Sequence, residues 1–146
     1  MLKYGVIYYT RTENSKRVAE KIASRLDCEV IQITDAINWK GLIGYLKAGF
    51  YSSTKRHVDI QLSGDLDAFK EYIVVGPFWA GGLAPSLITL LDQLPRDKVH
   101  LVVTSIGSHV KDRSGYLSVS DITRNAANED AVIEALTNSL LDGKAT

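Results

Sequence analysis

Cysteine is almost absent. Cys28 is the only one among 146 residues, so no internal disulfide can form. At the start of a Val/Ile-rich run it reads as a small apolar residue rather than a nucleophile. An excess of either charge is also missing, since 17 basic residues balance 17 acidic ones. That balance argues against nucleic acid as the main partner. No apolar run approaches the roughly 18 residues of a membrane helix, so no membrane span is expected. The N-terminus enters a strand pattern at once, with no signal-peptide pattern, and the expectation is a cytoplasmic protein.

Motifs that would name a chemistry outright are lacking too. No Gly-x-Gly-x-x-Gly follows a strand pattern, and no Gly-x-x-x-x-Gly-Lys-Ser/Thr occurs, which removes the usual dinucleotide and nucleoside-triphosphate loops. A phosphoacceptor receiver needs acids after its first and third strands, where this chain has Thr10 and Pro77. Cys28 lacks the downstream phosphate loop of a small tyrosine phosphatase. His57, His100 and His109 have no ligand spacing, so no metal site is expected. His100 falls inside a strand pattern and reads as structural. No repeats or low-complexity segments interrupt the chain. Hydrophobic content of 45% supports one core, and residues 1–146 read as a single domain.

What is present alternates strand and helix. Residues 3–9 read as a strand, and Val18, Ala19, Ile22, Ala23 and Leu26 recur at helical spacing within residues 14–26. Residues 28–33 make a second strand, which completes a βαβ unit and implies a parallel sheet with a right-handed crossover. Ile73-Val74-Val75-Gly76 is a fully apolar strand, expected beside the first. Gly76 and Pro77 are expected to break it. Leu87, Ile88, Leu91 and Leu94 form a helical stripe behind Pro85, which suits a first turn. Residues 99–106 read as a fourth strand and Leu117, Val119 and Ile122 as a fifth. Asn128, Glu129 and Asp130 open a last helix with the stripe Val132, Ile133, Leu136 and Leu140, capped near Gly143. Residues 36–58 hold Trp39, Lys40, Lys47, Lys55, Arg56 and His57 but no further acid beyond the flanking Asp35 and Asp59. They read as a solvated crossover whose aromatics plug the core, or as a basic lid that steers an anionic partner.

The first strand ends abruptly at Thr10-Arg11-Thr12-Glu13-Asn14-Ser15. A buried strand, a hydroxyl-rich turn and a helix N-terminus together make an anion site, because the first helical N–H groups lack partners and the helix dipole is positive there. This turn resembles the first FMN-phosphate loop of the flavodoxin family, Ser/Thr-x-Thr-Gly-x-Thr. Glu13 replaces the family's Gly. It either adds a carboxylate beside the phosphate, which Arg11 offsets, or serves as ordinary first-turn helix charge. Gly76-Pro77-Phe78-Trp79-Ala80-Gly81 resembles the family's second loop, Gly-x-Pro-x-Trp/Tyr-x-Gly, one residue shorter. An aromatic such as Trp79 offers a wall for the flavin ring, and a glycine such as Gly81 leaves backbone N–H groups for the ring nitrogens. Thr104-Ser105-Ile106-Gly107-Ser108 holds the place of the third cofactor loop, with fewer glycines, and also fits an ordinary strand-to-loop transition.

The resemblance implies a flavodoxin-like α/β fold, a doubly wound five-stranded parallel sheet in the order 2-1-3-4-5, with FMN at the carboxyl ends of the strands. One step departs from it. Only residues 108–115 separate the fourth strand from the fifth, too few for the family's fourth helix, which is expected to be shortened or missing. A second copy of the chain, forming a homodimer, is the simplest cover for the exposed sheet face. By resemblance, Thr10, Arg11, Thr12, Asn14 and Ser15 bind the phosphate. Pro77, Phe78, Trp79, Ala80 and Gly81 contact the ring, and Thr104, Ser105 and Gly107 close the far side. No catalytic side chain is required. The implied function is electron transfer to a redox partner protein, or FMN-dependent reduction of a quinone or other small acceptor with NAD(P)H as donor. The alternative is a flavodoxin-fold domain that has lost FMN and acts through protein–protein interaction.

Overall fold

The computed structural model describes residues 2–10, 13–35, 60–79, 82–111 and 113–143. The basic segment 36–58 therefore lies outside the described residues. Seven strands form one sheet: β1 (Leu2–Tyr8), β2 (Glu29–Asp35), β3 (Ile60–Leu62), β4 (Phe69–Trp79), β5 (Gly82–Leu83), β6 (Val99–Ser105) and β7 (Ser118–Thr123). Three helices are described, α1 (Asn14–Leu26), α2 (Pro85–Gln93) and α3 (Glu129–Gly143). The sheet runs β3-β2-β1-β4-β6-β7, with β5 paired to β4. Its pairings from β2 to β7 are parallel, as crossover connections require, while β3 and β5 add antiparallel pairs. The two antiparallel strands exceed the expected five.

Strand alternation divides the core between the two faces. Tyr4, Val6 and Tyr8 of β1, with Ile73, Val75 and Val102, pack under α1 and α3. Ile7, Val74, Leu101 and Val103 point the other way, to Leu87, Leu90 and Leu91 of α2. The α1 stripe buries Val18, Ala19, Ile22, Ala23 and Leu26. The helix ends where Asp27 turns left-handed (φ 52°), and the Cys28 N–H then donates to the Ala23 carbonyl. Gly76 is needed for contact across the second face. A Cβ there would stand 2.1 Å from Leu87 Cδ1.

Gly76 and Pro77 do not end their strand, contrary to expectation. β4 continues to Trp79 and folds into a short hairpin with β5, Phe78 facing Leu83 and Trp79 facing Gly82. The Pro77 carbonyl accepts from the Ala84 N–H. A strand residue's N–H and C=O share a side, so the missing Pro77 N–H faces the hairpin and not the β6 ladder.

Between β6 and β7 the described residues contain no helix. Val110, 8% exposed, and Tyr116 pack into the face that a helix would cover. The segment is pinned at Asp121 of β7. One carboxylate oxygen accepts from the Val110 N–H at 3.0 Å and the other from Arg113 Nη1 at 2.5 Å. Arg113 also donates to the Val119 and Val110 carbonyls.

Candidate functional site

The carboxyl ends of β1, β4, β6 and β7 converge on a cleft of about 500 Å³. Open parallel sheets bind ligands at this edge. Thr10, Asn14 and Ser15 line it from the β1–α1 turn, Pro77 and Phe78 from β4, and Thr104 and Ser105 from β6. Seven of the thirteen residues singled out in the sequence thus share one cavity. Arg11, Thr12, Ala80 and Gly81 lie outside the described residues. Trp79 ends β4, and its side chain is not described. Gly107 does not line the cleft. It presses on the next turn, where a Cβ would stand 2.6 Å from Asn125 Nδ2.

The turn into α1 is shaped by Glu13. Its φ is 68°, a left-handed conformation that costs a residue with a Cβ about 1–2 kcal/mol. Its carboxylate does not enter the cleft: the side chain is 72% exposed and pairs with Lys16 at 3.7 Å. Behind it, Ser15 is buried at the start of α1. The Thr104 hydroxyl donates to the Gly76 carbonyl at 3.5 Å, which leaves its oxygen to accept from Ser15 Oγ at 3.0 Å. That contact seats the first turn of α1 on β6. The Ser105 hydroxyl donates to the Ser108 carbonyl and accepts from the Ser108 N–H, closing the 105–108 turn. Thr10 differs from these hydroxyls. Its Oγ1 is buried and has no hydrogen-bond partner among the described residues. Such an orphan costs about 1–3 kcal/mol, and here it sits beside a helix N-terminus in a cleft.

The far wall is a turn, residues 124–127, that sequence reasoning did not single out. Arg124 and Ala127 line the cleft with Ile122 and Thr123 of β7. The Arg124 and Asn125 N–H groups donate to the Ser105 and Ile106 carbonyls. Asn128 closes the turn, its Oδ1 accepting from the Thr123 N–H and its Nδ2 donating to the Asp121 carbonyl. The signal for this wall was available in the strand pattern: the rule that placed ligand loops after the other strands applies equally after β7.

Charged side chains tie the two walls together. Arg17 donates Nε and Nη2 to the two carboxylate oxygens of Glu129, at 3.1 and 2.6 Å, and Nη1 to Asn14 Oδ1 at 3.0 Å. Lys21 reaches Glu129 at 2.7 Å and Asp130 at 2.9 Å. The hydrogen bond from Arg17, reinforced by Lys21, holds the Glu129 carboxyl down at about 2 against an ordinary 4.5. Glu129 also stands in the first turn of α3, where the helix dipole favours an anion. A second depression, about 540 Å³, runs between the charged outer faces of α1 and α3, away from the strand ends. Among the described residues no cluster of His, Cys, Asp or Glu could hold a metal ion. Buried His100 is satisfied within the sheet, by Glu71 at 2.9 Å and Ser118 at 2.8 Å.

A flavoprotein from Lactobacillus acidophilus NCFM, crystallised in complex with FMN, matches this structure at TM-score 0.65 and 21% identity, over 90% of this chain and 99% of that one. The chain has the fold of that flavoprotein. Two proteins described as candidate flavoproteins share it. One is from Bacteroides uniformis ATCC 8492 (TM-score 0.69, 17% identity, 92% and 97% covered). The other is from Bacteroides eggerthii DSM 20697 (TM-score 0.70, 18% identity, 99% and 98% covered). No protein-family model and no curated protein matches the sequence. No described helix is long and apolar enough to cross a membrane.

Proposed function

We propose that this protein binds FMN noncovalently and works as a redox flavoprotein. The observation that carries this reading is the Thr10 hydroxyl at the α1 N-terminus, buried and without a partner among the described residues, in one cleft with Phe78 at the β4 end. The first gives a phosphate a waiting donor beside unpaired helical N–H groups. The second gives a flat apolar ring a wall. The L. acidophilus flavoprotein of the same fold carries FMN. Thr10 and Asn14, with Arg11 and Thr12, would hold the phosphate. Ser15 supports that turn from below through Thr104. Phe78, with Pro77, Trp79, Ala80 and Gly81, would hold the ring, and the Ser105–Gly107 turn would limit it on the β6 side.

The bound flavin supplies the electron-accepting and electron-donating chemistry. The chain's residues bind it, orient it and exclude water from part of its surface. No side chain in the cleft needs to act as acid or base. We assign the flavin to reduction of a small acceptor, such as a quinone, at the expense of a nicotinamide donor. Carriers that find redox partners by charge benefit from an imbalance, and this chain has 17 charges of each sign. Oxidation of NAD(P)H with and without a quinone separates that activity from simple electron transfer.

Quenching of FMN fluorescence by the apoprotein tests the binding itself. Thr10→Val sharpens the test, because it removes the orphaned hydroxyl and keeps the shape. The variant is expected to be about 1 kcal/mol more stable without ligand and to bind FMN about tenfold more weakly. Lost stability with unchanged affinity would refute the role given to Thr10. An apoprotein that does not quench FMN would favour the reading of a flavodoxin-like fold retained for protein–protein interaction.

A further inference from the structure

The charges around the cleft are unequal in what they have left to offer. Arg17 and Lys21 are committed to Glu129 and Asp130, so two cations and two anions cancel. Arg124 also lines the cleft, and its guanidinium has no ion pair or hydrogen bond among the described residues. Its backbone is held firmly: its N–H donates to the Ser105 carbonyl at 3.0 Å, and Asn128 closes the turn it opens. Its place relative to α1 follows from the register. Ser15, at the start of α1, rests on Thr104 of β6, and Thr104 pairs with Ile122 of β7, two residues before Arg124. Neighbouring strands lie about 4.8 Å apart. Arg124 therefore stands one strand beyond the α1 N-terminus. Phe78 lies the other way, on β4.

We infer that Arg124 is the residue that selects the phosphorylated form of the flavin, by pairing with the phosphate from the β7 wall. This rests on the FMN-binding reading. The hydroxyls and N–H groups at the β1–α1 turn are uncharged, and the turn's one cation, Arg11, is balanced in the same six residues by Glu13, so this cradle solvates a phosphate without matching its charge. A guanidinium offers planar, paired donors and a charge that cannot be titrated away. Discrimination between FMN and riboflavin then depends on Arg124, while the ring wall binds both alike.

The experiment titrates FMN and riboflavin, at low and moderate salt, into wild type, Arg124→Gln and Arg124→Lys. Arg124 is exposed, so both variants should fold, and thermal melts verify this. Arg124→Gln is expected to lose roughly tenfold in FMN affinity and none for riboflavin, the scale of one solvent-facing charge-assisted contact. Arg124→Lys should restore most of the loss, and added salt should weaken FMN in wild type more than in Arg124→Gln. Unchanged FMN affinity in Arg124→Gln, or an equal loss for both flavins, overturns the inference and leaves the cofactor assignment standing. Wild type that binds neither flavin overturns both.

Discussion

The two faces of the sheet are covered by different means. One lies under α1 and α3, whose apolar stripes bury Val18, Ile22, Ile133 and Leu136. The other lies under α2 and, past β6, under an irregular segment in which Val110 supplies the plug and Asp121 the pin. A helix satisfies its own backbone and needs only an apolar stripe. An irregular cover must find a partner for each buried N–H, and here one carboxylate, 8% exposed, serves a backbone N–H and a guanidinium. The helical cover depends on many interchangeable contacts, whereas the irregular one depends on a few that cannot be exchanged.

Substitutions test that contrast. On the helical side, Ile22→Ala removes a fully buried side chain of α1 and should cost about 3 kcal/mol by denaturant titration. Asp121→Ala strips the pin, leaving the Val110 N–H and Arg113 without their acceptor. About 2–3 kcal/mol is expected, with faster amide exchange confined to residues 106–117. A loss under 1 kcal/mol would show that the irregular cover is held elsewhere. Glu129→Gln loosens the clasp between α1 and α3 and should cost about 1–2 kcal/mol at neutral pH, since its partners Arg17 and Lys21 are half exposed. Glu129 titrates near 2 in the folded state against 4.5 ordinarily. Its contribution is complete above about pH 4.5 and fades as the pH falls toward 2. Wild type should therefore lose stability through that window, and the variant should lose less. The smallest effect is expected from Glu13→Gly, which relieves the left-handed φ of 68° and should gain about 0.5–1 kcal/mol. A loss instead would mean that the Lys16 pair outweighs the backbone strain.

Much of the fold was legible because periodicity carried it. The α1 range matches the helical stripe, and β6 begins at Val99 as its apolar run does. Two short strands escaped notice. β3 has three residues and β5 two, too few for any period to show. Pro77 pointed the wrong way. Proline forbids only the hydrogen bond it would have donated, and β4 turns that side toward the hairpin, a tertiary circumstance that no local rule contains. The cleft was half legible. Thr10 and Phe78 announce themselves as turn hydroxyl and strand-end aromatic. Arg17 and Glu129 do not, since 112 residues separate the partners of that clasp, and Arg124-Asn125-Ala126-Ala127 carries no motif.

Tyr4 of β1 donates its hydroxyl to the Leu140 carbonyl of α3 at 3.4 Å, across 136 positions of chain. The first described strand is thus tied to a helix that follows every described strand. Contacts so far apart in sequence slow folding, because the connecting chain must lose its freedom before they repay it. During translation α1 is available early to cover Val6 and Tyr8, whereas the Tyr4 hydroxyl lacks its partner at Leu140 until α3 has emerged.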